Sequence, residues 1–281
     1  MDDHVDVGRS ARKIDIVKID ITPLILTLNE RENIARTLGT LAWTQEVVII
    51  DSGSTDGTLE IARTAHPNVR IVARVFDSFA GQCNFGLRQI ATEWILSMDA
   101  DYVLTPDLIA EIKALDPPTD VAGYSAGFRY CIFGRPLRST AYPARTILYR
   151  RRLAQYRDEG HGHRVIVDGK IDKLNGKIDH DDRKPFSYWL QSQDRYSKIE
   201  ARHLLSTPLS QLNFQDRLRR KIFFAPAVMF LYLLFARGLV LDGWRGWYYV
   251  CQRTIAEILL SLRLLIGRER LERTDDKGRE R

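Results

Sequence analysis

Residues 24–51 read LILTLNERENIARTLGTLAWTQEVVIID, and residues 94–101 read WILSMDAD. The first stretch holds two apolar runs of strand length that end at Asn29 and Asp51, and between them apolar residues recur at helical spacing. We expect Asn29 to cap that helix. The second stretch is another apolar run, and it ends at Asp99. The two stretches therefore predict buried strands whose carboxyl ends carry polar side chains.

The alternation of strand and helix continues between these stretches. We predict a third strand at residues 69–75 and a third helix at about residues 82–91. Four repeats of this pattern favour an α/β fold with a mostly parallel sheet and helices on both faces. Short strands and turns at about residues 124–178 predict an antiparallel extension, and residues 185–206 return to a helical pattern. Ligands of such sheets bind at the carboxyl ends of the strands.

Composition excludes several classes of protein. The chain has 281 residues, 44% of them hydrophobic, and its 42 Lys+Arg against 36 Asp+Glu give a net charge of +6. This apolar content supports a packed core and excludes disorder of the whole chain. Cys83, Cys131 and Cys251 are far apart and form no CxxC pair, which favours a reducing compartment and argues against a structural zinc site. The N-terminal residues lack the apolar run of a signal peptide, so we do not expect secretion.

Three acidic residues follow predicted strands, where a ligand would bind. Asp99 and Asp101 form a D-x-D pair after a predicted strand, and carboxylates at this spacing can hold a divalent cation and its phosphates. The alternative is a solvated turn before a helix capped by Thr105. Asp51 stands where doubly wound folds often place an acid that meets a ribose or base, and its alternative role is to cap its own turn. The chain has no G-x-G-x-x-G and no P-loop motif, which disfavours dinucleotide oxidoreductases and P-loop ATPases.

The run LTLNERENIARTLGTLAWTQEVVIIDSGSTDGTLEIA, followed by QCNFGLRQIATEWILSMDADYVL, resembles the family 2 glycosyltransferases of the GT-A fold. The resemblance covers roughly residues 22–205 and is strongest to the branch that builds lipopolysaccharide core or exopolysaccharide. It implies a Rossmann-like sheet, a nucleotide-sugar donor with a UDP-sugar favoured, Mg²⁺ or Mn²⁺ as cofactor, and inversion at the anomeric carbon. We expect three regions: an N-terminal tail (1–20), a GT-A catalytic domain (21–206) and a C-terminal helical membrane-associating region (207–281).

The resemblance also implies roles for individual residues. Those expected to bind the nucleotide are Thr27, Asn29, Glu30, Asp51, Gln82, Asn84 and Asp99. Those expected to bind the metal are Asp101, Asp99 and His180.

An inverting displacement needs a base to take the proton of the acceptor hydroxyl. The segment 157–163 resembles the acidic motif that supplies this base, with Glu159 favoured, Asp158 second and His161 a further candidate. The alternative for the histidines of this segment is a polar surface loop. Arg183 and Lys184 are expected to neutralise phosphates of donor or acceptor. Their alternative is salt bridges to the neighbouring aspartates.

Residues 222–236 form an apolar run that follows a basic cluster and precedes a helix rich in aromatic residues. This pattern favours an interfacial or re-entrant hairpin, with its turn at residues 242–247, over a buried core helix. We therefore expect a peripheral or monotopic protein at the cytoplasmic face of the inner membrane, bound to anionic lipid. The residues assigned to this surface are Arg219, Arg220, Phe223, Phe224, Trp244 and Trp247.

The leading hypothesis is a metal-dependent inverting glycosyltransferase in bacterial cell-surface polysaccharide synthesis. Its expected acceptor is a lipid-linked saccharide, on either polyprenyl diphosphate or lipid A-core. One alternative transfers the sugar to a polyprenyl phosphate, as enzymes like dolichol-phosphate mannose synthase do. A second alternative is a non-catalytic membrane-bound scaffold. No nucleic-acid partner is expected, because the sequence has no recognised binding motif and much of its basic charge lies beside apolar runs.

Overall fold

The computed structural model describes residues 19–159, 162–222 and 224–279, with side chains at all of these except 159, 162–163 and 268–279. The first half alternates strand and helix as predicted. Its elements are β1 (Ile21–Thr27), α1 (Ile34–Gly39), β2 (Val47–Asp51), α2 (Thr58–Ala65), β3 (Val69–Ala73), α3 (Phe79–Gln89) and β4 (Trp94–Asp99).

The second half begins with the predicted short strands and ends with helices. Its strands and first helix are β5 (Tyr102–Leu104), α4 (Pro106–Ala114), β6 (Val121–Ile132), β7 (Arg135–Pro136), β8 (Arg145–Arg150), β9 (Ala154–Glu159), β10 (Gly162–Val167) and β11 (Lys170–His180). The remaining helices are α5 (Phe186–Ser206), α6 (Phe214–Arg219), α7 (Phe224–Leu231) and α8 (Gly243–Arg279).

The main sheet has the strand order β3-β2-β1-β4-β8-β6-β11-β5, with β7 paired to β6. The first four strands are parallel, β8 joins β4 antiparallel, and β6 and β11 are parallel to each other. β9 and β10 form a separate antiparallel hairpin. The predicted α/β class, a parallel sheet with an antiparallel extension, is confirmed.

The sheet is covered on both faces, which explains why β1, β2 and β4 are apolar throughout. One face carries a core that includes Ile25, Ile49 and Leu96, and the other carries Leu24 and Ile95. Alternate residues of one strand point to opposite faces, so a strand buried on both sides has no polar stripe.

Helix starts agree with the sequence in one case and differ in another. Thr105 caps α4 as expected, because its hydroxyl accepts the backbone N–H of Leu108. Asn29 does not cap α1, which begins five residues later. It adopts a left-handed φ of 56° instead, and its side chain is used by the neighbouring loop.

The C-terminal helices pack on the sheet domain. Leu233, Leu234 and Leu239 join Ile132 and Leu137 in one apolar cluster. α7 runs directly into a π-helical stretch, Tyr232–Ala236, and the chain then bends at left-handed Gly238. The turn therefore lies before residue 242, and the expected turn residues 243–247 form the start of α8.

No single helix in the described ranges is both long and apolar enough to cross a membrane. By length and composition the pair Phe224–Ala236 and Leu239–Gly267 passes that test together, with a bend of 70° between its members.

Candidate active site at the carboxyl ends of the parallel strands

The Asp51 carboxylate closes the loop that follows β2. Its Oδ1 accepts the hydroxyls of Thr27 (2.8 Å) and Ser54 (2.6 Å), and its Oδ2 accepts the backbone N–H groups of Gly53 and Ser54, both at 2.9 Å. Asp51 is only 2% exposed. Burial opposes ionisation, but these hydrogen bonds outweigh it and hold the pKa of Asp51 below its ordinary value. The structure thus brings Thr27 and Asp51 together, and it uses both Asp51 oxygens to cap the turn.

The loops after β1 and β2 are joined by further hydrogen bonds. The backbone N–H groups of Asn29 and Glu30 donate to the hydroxyls of Ser54 (2.9 Å) and Thr58 (2.8 Å). The Asn29 Oδ1 accepts the backbone N–H of Thr55 at 2.9 Å. These contacts hold the expected nucleotide-binding edge in one conformation.

Glu30 lies beside this edge in a buried ion pair. Its Oε1 accepts the Lys184 ammonium at 2.5 Å, and its Oε2 accepts the Asn33 amide at 3.0 Å. Burial raises the pKa of Glu30 to about 7, although Lys184 opposes this shift. Burial disfavours the charged lysine too, but Glu30 and Asp182 outweigh it and hold the pKa of Lys184 above its ordinary value. Lys184 is therefore a permanent cation at this edge.

The two candidate phosphate-binding residues have carboxylate partners. Arg183 Nε donates to Asp181 at 2.8 Å, which is the salt bridge considered as its alternative role. The Lys184 ammonium pairs with Glu30. Asp182 accepts the backbone N–H of Lys184, at 3.0 Å.

The side chains of Asp101 and His180 are in contact just after the end of β4. The Asp101 Oδ2 and the His180 Nε2 are 3.0 Å apart, and rings of Tyr102, Tyr130 and Tyr142 surround the imidazole. Burial opposes both charges, but mutual attraction prevails: it lowers the pKa of Asp101 and raises that of His180.

Two atoms of this pair are open to a further ligand. Asp101 Oδ1 and His180 Nδ1 are buried with no hydrogen-bond partner among the described residues, which is costly unless a ligand uses them. The expected set of three ligands is not assembled, however. In the described part of the chain no three His, Cys, Asp or Glu side chains are grouped to hold a metal, although the charge of Asp99 is close enough to help raise the pKa of His180.

Gln82 and Asn84, both expected near the nucleotide, make hydrogen bonds that hold the fold together. Gln82 is buried and its amide donates to the backbone carbonyls of Arg74 (3.1 Å) and Val75 (3.2 Å). The Asn84 amide donates to the Tyr156 carbonyl and accepts the Tyr156 N–H, both at 2.9 Å. Asn84 thereby attaches the β9–β10 hairpin to α3.

The candidate bases lie on this hairpin. The Asp158 Oδ1 accepts the backbone N–H of Ala80 at 3.0 Å, in the first turn of α3. A carboxylate is favoured there by the positive end of the helix dipole. The side chain of Glu159 and the whole of His161 lie outside the described residues.

A cavity of about 410 Å³ opens between β4, β8 and the hairpin. Asp99 lines it, and no role was assigned from the sequence to the other charged or phenolic residues of its wall. These are Tyr102, Arg145, Tyr156 and Arg164. They are separated by long stretches of chain, and only the pairing of β8 with β4 and the docking of the hairpin bring them together.

The Glycosyl transferase family 2 model matches residues 24–169, which includes most of β1, all of β2 to β10 and every residue that lines this cavity. The chain belongs to glycosyl transferase family 2. It is therefore a transferase of glycosyl groups, and the predicted family is confirmed.

Relatives of this family 2 protein include named glycosyltransferases. The lipopolysaccharide core biosynthesis glycosyltransferase LpsC of Rhizobium meliloti is 27% identical over 242 residues, 82% of this chain and 86% of that protein. An uncharacterized glycosyltransferase of Rickettsia prowazekii is 26% identical over 210 residues, 69% of this chain and 71% of that protein.

Two solved structures are similar to most of this chain. One is glucosyl-3-phosphoglycerate synthase of Mycobacterium tuberculosis in complex with Mn²⁺, UDP and phosphoglyceric acid, with a TM-score of 0.44, 15% identity and coverage of 70% of this chain and 82% of that one. Another is S. aureus TarS 1-349 in complex with UDP-GlcNAc, with a TM-score of 0.44, 15% identity and coverage of 89% and 92%.

The described residues assigned to a membrane surface lie in or beside the helices α6, α7 and α8. Phe224, Trp244 and Trp247 are exposed, and Phe223 lies outside the described residues. Arg220 donates to the Thr207 carbonyl at 3.2 Å. Arg219 binds Glu257 at 2.8 Å and also contacts Glu200 and Asp216, so its guanidinium joins α6 to α5 and α8.

Proposed function

We propose that this family 2 glycosyltransferase moves a sugar, with inversion, from a UDP-sugar to a lipid-linked saccharide in bacterial lipopolysaccharide synthesis. The observation that carries the proposal is the buried Asp101 carboxylate at the end of β4, with one oxygen lacking a partner among the described residues. The similarity to LpsC, which extends over 82% of the chain, supports the pathway.

Asp101 and His180 would hold Mg²⁺ or Mn²⁺, with Asp99 nearby. Carboxylate oxygens suit these cations, and an imidazole is an acceptable further ligand. A bound divalent cation supplies positive charge beside the nucleoside diphosphate that leaves.

Other residues bind the nucleotide and move the proton. The joined loops after β1 and β2 hold the nucleotide, and Lys184 adds a fixed positive charge at the same edge. Glu159 takes the proton of the acceptor hydroxyl. Asp158, the second candidate base, positions the hairpin through its bond to Ala80.

The test is a comparison of Asp101→Asn with the control Asp107→Asn, an exposed carboxylate in the first turn of α4. UDP release from a panel of UDP-sugars is measured with Mg²⁺, with Mn²⁺ and with chelator. We expect Asp101→Asn to lower the rate by about 100-fold or more, the scale of losing one electrostatic contact to the leaving group. Wild-type activity in Asp101→Asn would refute the role of Asp101.

We further propose that the protein binds the cytoplasmic face of the inner membrane through the exposed apolar side chains of α7, the following turn and the start of α8. Phe224 is 64% and Trp244 56% exposed, and Lys221 lies beside them in sequence. The other members of the surface are Leu231, Phe235, Leu241 and Trp247. Apolar side chains next to cations suit an anionic bilayer surface.

Co-sedimentation with vesicles containing anionic lipid tests this surface. We expect the double variant Phe224→Ser/Trp244→Ser to stay in the supernatant, while wild type and Val75→Ser pellet. Val75 is exposed in the loop before α3 and is a matched control. Equal pelleting of the double variant and wild type would contradict the proposal.

A further inference from the structure

The cavity lies on the opposite side of β4 from the expected nucleotide-binding loops. In the sheet, β1 and β2 lie on one side of β4, and β8 lies on the other. Thr27 and Asp51 end β1 and β2, whereas Arg145 begins β8 and Arg164 belongs to β10. Asp99 ends β4, between the two sides. A donor held over β1 and β2 would therefore present its sugar toward this cavity.

The cavity is lined by groups suited to an acidic sugar. Arg145 and Arg164 come from different elements and reach the same space. A guanidinium forms paired hydrogen bonds to a carboxylate or phosphate, so two of them favour an anionic ligand. The guanidinium of Arg145 lies 4.6 Å from the ring centre of Tyr142, which fixes its plane.

Hydroxyl groups complete the wall. The Tyr156 hydroxyl is 2.7 Å from the hydroxyls of both Ser97 and Tyr149, and the Tyr102 hydroxyl is 2.8 Å from that of Tyr142. Such groups both donate and accept, as sugar hydroxyls do. The volume of about 410 Å³ is within the range of small-ligand sites.

We propose that this cavity binds the acceptor through an acidic group, a carboxylate or phosphate carried by the acceptor saccharide, and that Arg145 and Arg164 recognise that group. The inference rests on the proposed glycosyl transfer and adds the chemical class of the acceptor to it.

Saturation-transfer NMR titration tests the inference with three sugar probes: glucuronate, glucose 6-phosphate and glucose. UDP is titrated separately. The variants are Arg145→Gln and Arg164→Gln, and the control is Arg152→Gln, an exposed arginine just beyond the other end of β8. We expect at least one acidic probe to bind wild type about 10-fold or more tightly than glucose, the scale of one charge-assisted hydrogen bond. Either cavity variant should remove that preference, and Arg152→Gln should keep it.

Three results would overturn the inference: equal binding of glucose and both acidic probes, loss of the preference in Arg152→Gln, or weakened UDP binding in both cavity variants. The last result would assign the arginines to the donor diphosphate. Unchanged UDP affinity also shows that a variant is folded. A protein that prefers an acidic probe but shows no turnover of any UDP-sugar would refute the proposed function and leave this binding site standing.

Discussion

Replacing Asn84 by alanine should loosen the β9–β10 hairpin without weakening nucleotide binding. The Asn84 amide satisfies both the N–H and the C=O of Tyr156, each at 2.9 Å. Each hydrogen bond contributes about 1 kcal/mol, and leaving partly buried backbone groups unpaired adds to the loss, so Asn84→Ala should lower the free energy of unfolding by about 2–3 kcal/mol. In a protein of this size that corresponds to a fall in Tm of about 5–10 °C.

The assay combines thermal unfolding with a calorimetric titration of UDP in the presence of Mg²⁺. Asn84→Asp keeps the acceptor for the Tyr156 N–H but loses the donor to its C=O, so its Tm should be lowered as well. Asn68→Ala is the control, because that amide donates to the Gln45 carbonyl at an exposed site, and it should change the Tm little. Wild-type Tm together with lost UDP affinity in Asn84→Ala would refute the reasoning and place Asn84 at the nucleotide.

Three further perturbations probe charge and packing. Glu30→Gln removes a carboxyl whose folded pKa of about 7 lies above its ordinary 4.5; the wild type should therefore lose unfolding free energy as pH rises from 4.5 through 7, and the variant should lack that loss in urea titrations at pH 5 and pH 8. Arg219→Met leaves the buried Glu257 carboxylate, 3% exposed, without its guanidinium partner, and should lower the free energy of urea unfolding by about 3 kcal/mol. The double variant Arg219→Met/Glu257→Gln should recover part of that loss. Gly176→Ala brings a Cβ to 2.5 Å from the Leu108 Cα, so it should cost about 1–3 kcal/mol by the same measurement.

Each of these variants has a matched control. Glu32→Gln and Lys221→Met change exposed side chains of the same charge, and Gly127→Ala adds a methyl group on β6 where no heavy atom lies within 4 Å. A pH dependence retained in Glu30→Gln would contradict the assignment of the raised pKa to this carboxyl. Equal losses of unfolding free energy in a test variant and its control would show that the named contact does not cause the loss.

The strand and helix order could be predicted because it depends on local patterns. β1, β2 and β4 are apolar runs of strand length, and Asp51 and Asp99 end two of them as expected. The pairing of Asp101 with His180 followed from family resemblance, and the structure places these side chains 3.0 Å apart.

The roles of Gln82 and Asn84 could not be read from the sequence. Asn84 binds the backbone of a residue 72 positions later in the sequence, and no periodicity in either segment predicts that contact.

The C-terminal turn was misplaced for a different reason. Asp242 and the glycine beside it look like a turn, yet the bend between the helices comes earlier, at Gly238, where a left-handed residue follows the π-helical stretch.

The residues on the two sides of β4 also come from different parts of the chain. Thr27, Asp51 and Asp101 precede residue 105, while Arg145 and Arg164 lie in the segment 121–167, which begins after one loop and ends at the turn of Asp168 and Gly169. Exchange of that segment between relatives would replace both cavity arginines and leave Thr27, Asp51 and Asp101 unchanged. An ancestral enzyme could thus acquire a new acceptor by recombination at two surface loops, while its use of the sugar nucleotide was inherited unchanged.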